Sequence, residues 1–316
     1  MARSTSSSVA VSGTSATEVS GQPVLLNLFL SLRPGQWTKN LLVFAGVLFG
    51  RRLLDPGAVG RSLAAFAIFC ALSGAVYLVN DVLDRERDRR HPLKSRRPIA
   101  SGRLSSSTAV AAAGALVVGA LAASIALGWA FAAVAASYVG MLALYSYWLK
   151  NIVIIDVLTI AVGFVLRAVA GAVAVEVEIS HWLLVCTILL AMFIALAKRR
   201  QEIVLLADDA RSHRAILVEY TPYLLDQMIA VVTASTLISY AFYTISPETE
   251  LKFGTRWLGL TIPFPLYGIF RYLYLVHQRE GGGSPADLLM TDRPLLACVA
   301  LWAVVVALII YRPFGL

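Results

Sequence analysis

The apolar run from Ser62 to Val79 passes without a break into Asn80-Asp81-Val82-Leu83-Asp84-Arg85-Glu86-Arg87-Asp88. The run itself reads as a membrane helix. If that helix continues, Asp81, Asp84 and Asp88 fall at i, i+3 and i+7 on one face, with Asn80 alongside Asp84. Carboxylates crowded at a membrane boundary repel one another unless a cation sits among them. Hard oxygen ligands of this kind suit Mg²⁺, which usually keeps phosphate oxygens of a substrate as further ligands. The stretch therefore reads as a Mg²⁺-diphosphate site at the mouth of a membrane bundle. Ion pairing with Arg85, Arg87 and Arg89 at an interfacial helix end is the plainer account. Against it, an anionic face at a cytoplasmic membrane surface would meet anionic lipid.

The rest of the chain agrees with a membrane setting. Of 316 residues, 58% are hydrophobic and only 15% charged, where a soluble domain carries about 25% charged. Mean hydropathy is +0.74. Runs long enough to cross a bilayer recur near 24–50, 60–83, 107–127, 129–149, 152–175, 180–200, 222–246, 257–277 and 293–312. The expected fold is an all-α integral membrane protein of about nine spans. The runs are continuously apolar rather than alternating, which argues against a β-barrel. Met1 to Gln22 is rich in Ser, Thr and Gly with no apolar core; it reads as a disordered tail, not a signal peptide. Residues 23–316 read as a single transmembrane domain. Cys70, Cys186 and Cys298 each sit in an apolar run without metal spacing and read as packing residues.

The net charge of +8 is concentrated. Arg85, Arg87, Arg89, Arg90, Lys94, Arg96, Arg97 and Arg103 crowd the connection after the second span. Lys198, Arg199, Arg200, Arg211 and Arg214 crowd the one after the sixth. Both are expected to be cytoplasmic, which places the N-terminus inside and, with nine spans, the C-terminus outside. Basic patches at membrane ends, without an interleaved aromatic soluble fold, do not suit nucleic acid.

Four further groups carry possible chemistry. In Arg33-Pro34-Gly35-Gln36-Trp37-Thr38-Lys39-Asn40, proline and glycine interrupt an apolar helix and leave Arg33, Lys39 and Asn40 at membrane depth, where ionisable groups are costly; snorkelling at the interface is the alternative. In His91-Pro92-Leu93-Lys94-Ser95-Arg96-Arg97-Pro98, Lys94 and Arg97 are placed to clamp phosphates, or to sit solvated in a turn. Tyr145 and Lys150 precede Asp156 and Arg167, two ionisable residues about three turns apart in apolar sequence. They line a cavity or pair with other buried groups. Lys198, Arg199 and Glu202 close the sixth span, where Lys198 and Glu202 also satisfy plain i,i+4 pairing.

Taken in order, these motifs resemble the UbiA-type intramembrane prenyltransferase superfamily. Asn80-Asp81-x-x-Asp84-x-x-x-Asp88 is similar to its first aspartate-rich motif in type and placement. Several motifs narrow the resemblance to the branch that transfers phosphoribose to decaprenyl phosphate. They are Arg33-Pro-x-Gln-Trp-x-Lys-Asn, Tyr77-Leu-x-Asn-Asp, His91-Pro-x-Lys-x-x-Arg-Pro-Ile-Ala-x-Gly, Lys198-Arg199-x-x-Glu202, Pro285-Ala-Asp287 and Asp292-Arg-Pro. The resemblance implies a ring of nine helices around a cavity open to the cytoplasm and sideways to lipid. It implies transfer of 5-phosphoribose from phosphoribosyl diphosphate to a polyprenyl phosphate with Mg²⁺, for cell-envelope arabinan precursors. Asn80, Asp81, Asp84 and Asp88 are the implied metal ligands, with the three aspartates catalytic. Lys39, Asn40, Lys94, Arg97, Tyr145, Lys150, Asp156, Arg167, Lys198, Arg199 and Glu202 are the expected substrate contacts. One departure matters. Prenyl-transferring members carry a second aspartate-rich motif after the sixth helix, where this chain reads Lys198-Arg199-Arg200-Gln201-Glu202, with Asp208 and Asp209 at the wrong spacing. Prenyl transfer from a prenyl diphosphate to an aromatic acceptor is the rival activity, and it predicts that missing motif. A transporter would string charges through the bilayer depth. A homo-oligomer is left open.

Overall fold

The computed structural model describes residues 23–91, 94–206, 219–278, 288 and 291–311. The N-terminal tail, Asp208, Asp209, Arg211, Arg214 and Pro285-Ala286-Asp287 lie outside them. Every regular element among the described residues is helical. Seven helices are long and apolar enough to cross a membrane: α3 (Pro56–Leu83), α5 (Ser106–Ala126), α6 (Trp129–Tyr147), α7 (Ile155–Ala174), α8 (His181–Leu206), α9 (Pro222–Ile245) and α12 (Arg293–Tyr311). The chain is a multi-span membrane protein.

The starts of these helices are written locally. Asp55 accepts from the backbone N–H of Gly57 and Ala58 ahead of Pro56. Ser105 accepts from Thr108, and Thr221 accepts from Leu224 ahead of Pro222. Each side chain satisfies a donor that the helix leaves over, and proline at the first turn loses nothing.

Two expected spans are not single long helices. Segment 24–50 divides into α1 (Val24–Ser31), a 3₁₀ stretch Pro34–Phe44 and α2 (Ala45–Phe49). Its break falls at Arg33, which takes a left-handed φ of 53° just before Pro34. Segment 257–277 divides into a 3₁₀ turn Trp257–Thr261 and α11 (Pro263–Gln278), whose 16 residues extend about 24 Å, short of a bilayer core. Pro263 is the break, since a helix cannot donate through it. Two short helices complete the order: α4 (Arg85–Arg90) after α3, and α10 (Pro247–Phe253) after α9.

Helices α3 and α7 are the most buried spans, while α5, α6 and α12 turn most of their surface outward. α7 packs against α3, α6, α8 and the broken first segment. The closest approach needs glycine on both sides: a Cβ on Gly171 would strike the Val43 carbonyl, and one on Gly46 would strike the backbone at Gly171. At the far end of α3 from the aspartates, Arg61 donates to the carbonyls of Leu127 and Ala174 and pairs with Glu176 at 3.0 Å. One guanidinium thus ties α3 to the ends of α5 and α7, whose last carbonyls have no partner within their own helices.

Candidate active site

The aspartate helix does not run straight through its motif. α3 ends at Leu83, Asp84 departs from helical geometry, and α4 restarts at Arg85. Asp81 and Asp88 remain on the inner side, each 3% exposed, while Asp84 turns outward toward Arg87 at 3.6 Å. Arg97 joins the two inner carboxylates: its Nη1 lies 3.0 Å from Asp81 Oδ1 and 2.6 Å from Asp88 Oδ2. Arg33 pairs with the same Asp81 oxygen, and its guanidinium stands 4.8 Å over the Tyr77 ring. A cavity of about 360 Å³ opens beside these groups, with Leu30, Arg33, Gln36, Asp81 and Arg97 on its walls. Arg33, which the motif supplied without a role, is therefore an ion-pair partner of the first aspartate.

Lys94 bridges this cluster to the end of α8. It is half-buried and lies in electrostatic reach of Asp84, Asp88 and Glu202. Burial first, and the neighbouring Arg97 second, hold its ammonium below the ordinary value of 10.5. Glu202 receives Arg199 Nη1 at 2.7 Å and Lys198 Nζ at 3.8 Å. Arg199 is 2% exposed. Its Nε donates to Asp156 Oδ2 at 2.9 Å and its Nη2 to the Tyr145 hydroxyl at 3.4 Å. Arg200 points elsewhere, to Asp226. Sequence reading missed Tyr220, whose hydroxyl donates to Asp156 Oδ1 at 2.8 Å and accepts the Ile154 N–H at 2.7 Å. No local signal marks it; a tyrosine two residues before the α9 proline is ordinary.

Asp156 and Arg167 do not meet. Arg167, 6% exposed, donates to Asn40 Oδ1 at 2.7 Å, the Gly163 carbonyl at 2.8 Å and the Tyr138 hydroxyl at 2.6 Å. Asn40 in turn donates to Ser73 and Cys70. This cage of neutral groups around the Arg167 cation braces the broken first segment against α3 and α7. Tyr77 lies in reach of both Arg33 and Arg167 and connects the cage to the aspartates. Lys39 is half-buried in the 3₁₀ segment, and Lys150 is half-buried in the turn Leu149–Asn151. Asp292, from the last motif, accepts the Leu295 N–H at the start of α12 and pairs with Arg271 at 2.9 Å, a structural use.

The donor chemistry fits a divalent cation in part. Asp81 and Asp88 already share one cationic nitrogen, so the pair can flank positive charge. Among the described residues, no three His, Cys, Asp or Glu side chains gather closely enough to hold an ion. A metal here would lean on substrate oxygens, as Mg²⁺ commonly does.

The geometry defines a membrane-embedded helical bundle that gathers paired carboxylates and cations at one end. Residues 40–291 match the UbiA prenyltransferase family, and the chain belongs to it. It is 32% identical over 291 residues to the decaprenyl-phosphate phosphoribosyltransferase of Corynebacterium glutamicum, covering 89% of this chain and 86% of that protein. To the decaprenyl-phosphate phosphoribosyltransferase of Mycolicibacterium smegmatis it is 30% identical over 311 residues, covering 94% and 96%. A UbiA homolog from Archaeoglobus fulgidus, bound to DMAPP and Mg²⁺, superposes with a TM-score of 0.70 at 19% identity, over 90% of this chain and 99% of that one.

Proposed function

We propose that the chain transfers 5-phosphoribose from phosphoribosyl diphosphate to a polyprenyl phosphate such as decaprenyl phosphate, for cell-envelope arabinan synthesis. The observation that carries this over prenyl transfer is the end of α8. There Lys198, Arg199 and Glu202 stand in place of a second carboxylate motif, with Lys94 in electrostatic reach. Phosphoribosyl diphosphate brings a 5-phosphate besides its diphosphate, and the acceptor brings another anion. Such a pocket needs cations more than extra carboxylates.

In this reading Asp81 and Asp88, with Asn80 and Asp84, would hold Mg²⁺. A Mg²⁺ held there would supply neutralisation of the diphosphate charge. Arg33, Lys39, Lys94, Arg97 and Lys198 steer the phosphate groups, and Lys150 and Tyr145 border the same end. The bond from the anomeric carbon to the diphosphate oxygen breaks as the acceptor phosphate oxygen bonds to that carbon, with inversion from α to β. The acceptor is already ionised at neutral pH and needs positioning rather than deprotonation. Glu202 supports the positive charge that develops on the ribose ring. Asn40 and Arg167 hold the wall behind the donor. The chain crosses the membrane nine times, counting the two broken segments. The helices form a ring, residues 23–316 are one domain, and the site faces the cytoplasm.

Purified protein in detergent, given radiolabelled phosphoribosyl diphosphate, polyprenyl phosphate and Mg²⁺, yields a lipid-soluble labelled product that EDTA abolishes. Failure there, with activity on a prenyl diphosphate and an aromatic acid, transfers the chain to the rival chemistry within the same fold.

A further inference from the structure

The residue that governs the α8 end lies outside every sequence motif. Tyr220 is 3% exposed and its ring packs in the core shared by α7, α8, α9 and α11. Its hydroxyl stands between two groups of α7. It accepts the N–H of Ile154 and donates to the carboxylate of Asp156. Ile154 carries a φ of 69°, a positive value that a β-branched residue adopts only when its surroundings hold it there. That strained residue is where α7 begins, so the Tyr220 hydroxyl fixes both the α7 start and the rotamer of its first acidic side chain. Asp156 is wholly buried, and its other oxygen holds Arg199 Nε. Arg199 then fixes Glu202, which is the first member of the series with a solvent-facing side chain, 29% exposed. A chain of hydrogen bonds thus runs from Tyr220 through Asp156 and Arg199 to Glu202, a partly exposed carboxylate near the α8 end.

We infer that Tyr220 is a positioning residue for Glu202, acting through Asp156 and Arg199, and that this relay sets where the α8 carboxylate meets the sugar of a diphosphate donor. The inference rests on the proposed reading of the site. The charges support it: Asp156, Arg199, Glu202 and Lys198 sum to zero, so the relay orients Glu202 without adding net charge to an anion-binding pocket. Burial pushes the Tyr220 hydroxyl up to about 12, so it keeps its proton and remains the donor to Asp156 at physiological pH. Tyr145 joins the same node through Arg199.

The test is a double-mutant cycle on the full-length protein in detergent. Tyr220→Phe keeps the buried ring and removes only the hydroxyl. A carboxylate that acts on charge developed in the transition state changes kcat more than KM. Tyr220→Phe is expected to lower kcat about tenfold with KM for the donor changed less than about twofold, and Glu202→Gln to lower kcat about a hundredfold. The double variant is no slower than Glu202→Gln alone, because the two act in series. Independent, multiplying losses, or an unchanged Tyr220→Phe, overturn the relay. If Tyr220→Phe does not fold, Asp156→Asn, which keeps an acceptor for Tyr220, goes through the same cycle. The donor is whichever diphosphate the wild-type chain turns over. Wild-type activity on a prenyl diphosphate alone would refute the proposed function, while the cycle still decides the relay.

Discussion

Asp84 and Lys94 are the two residues whose surroundings make sharp demands. The i, i+3, i+7 spacing puts three aspartates on one face only if the helix is continuous, and α3 stops at Leu83. Asp84 is the member left facing outward, paired weakly with Arg87. Replacing it therefore disturbs little packing. Asp84→Asn is expected to fold normally and to lose turnover by at least tenfold, since even outer partners of a metal are worth about 10–100-fold. Near-normal turnover would take Asp84 out of the reaction. Lys94 is tested by pH. Its folded value lies below 10.5, so between the two values the folded chain binds fewer protons than the unfolded one. Raising pH through that window relieves a cost to stability. Over the same window the ammonium loses the charge that holds a phosphate. KM for phosphoribosyl diphosphate is expected to climb on the alkaline side, starting below pH 10.5, and Lys94→Arg, which keeps its charge, should flatten that rise. Identical profiles for the two proteins would exclude Lys94 as the titrating group.

Among the elements, the long helices were legible because apolar length is a local property of sequence, although α3 starts at Pro56, ahead of the expected 60. Asp55-Pro56, Ser105 and Thr221-Pro222 cap their starts. The break at Arg33-Pro34 was legible for the same reason. What escaped is tertiary. Tyr220 and Asp156 are 64 residues apart, and Arg167 and Asn40 127 apart; no periodicity encodes such pairs. Asp156 and Arg167 left two outcomes open, and burial decided for internal partners in both. Gly171 belongs to this class too, for only the packed structure shows what it touches. A Cβ added there would meet the Val43 carbonyl, where no side-chain rotation can make room. Gly171→Ala should therefore cost about 1–3 kcal/mol, the usual penalty of overpacking, read as a lower melting temperature in detergent. Gly119→Ala, in α5 with open space around it, is the matched control and should be neutral or slightly stabilising. Equal effects from the two would mean that α7 and the first segment are not in close contact.

For the whole molecule, the distribution of charge predicts the orientation. Eight Lys and Arg residues lie between α3 and α5, and Lys198 to Arg200 lie in the last turns of α8, whereas the opposite end carries fewer, among them Arg52 and Arg61. The end richer in Lys and Arg, and with it the aspartates, should then face inward. The native cysteines allow a direct test, since Cys70 and Cys298 are buried and Cys186 lies within α8, partly covered. A cysteine at Ser101, in the exposed turn beside Arg97, should react with a membrane-impermeant maleimide only after cells are opened. A cysteine at Glu178, between α7 and α8, should react in intact cells. Reversal of the two would place the aspartates and Arg97 on the outer surface, away from any cytoplasmic diphosphate, and the proposed reaction would lose its donor.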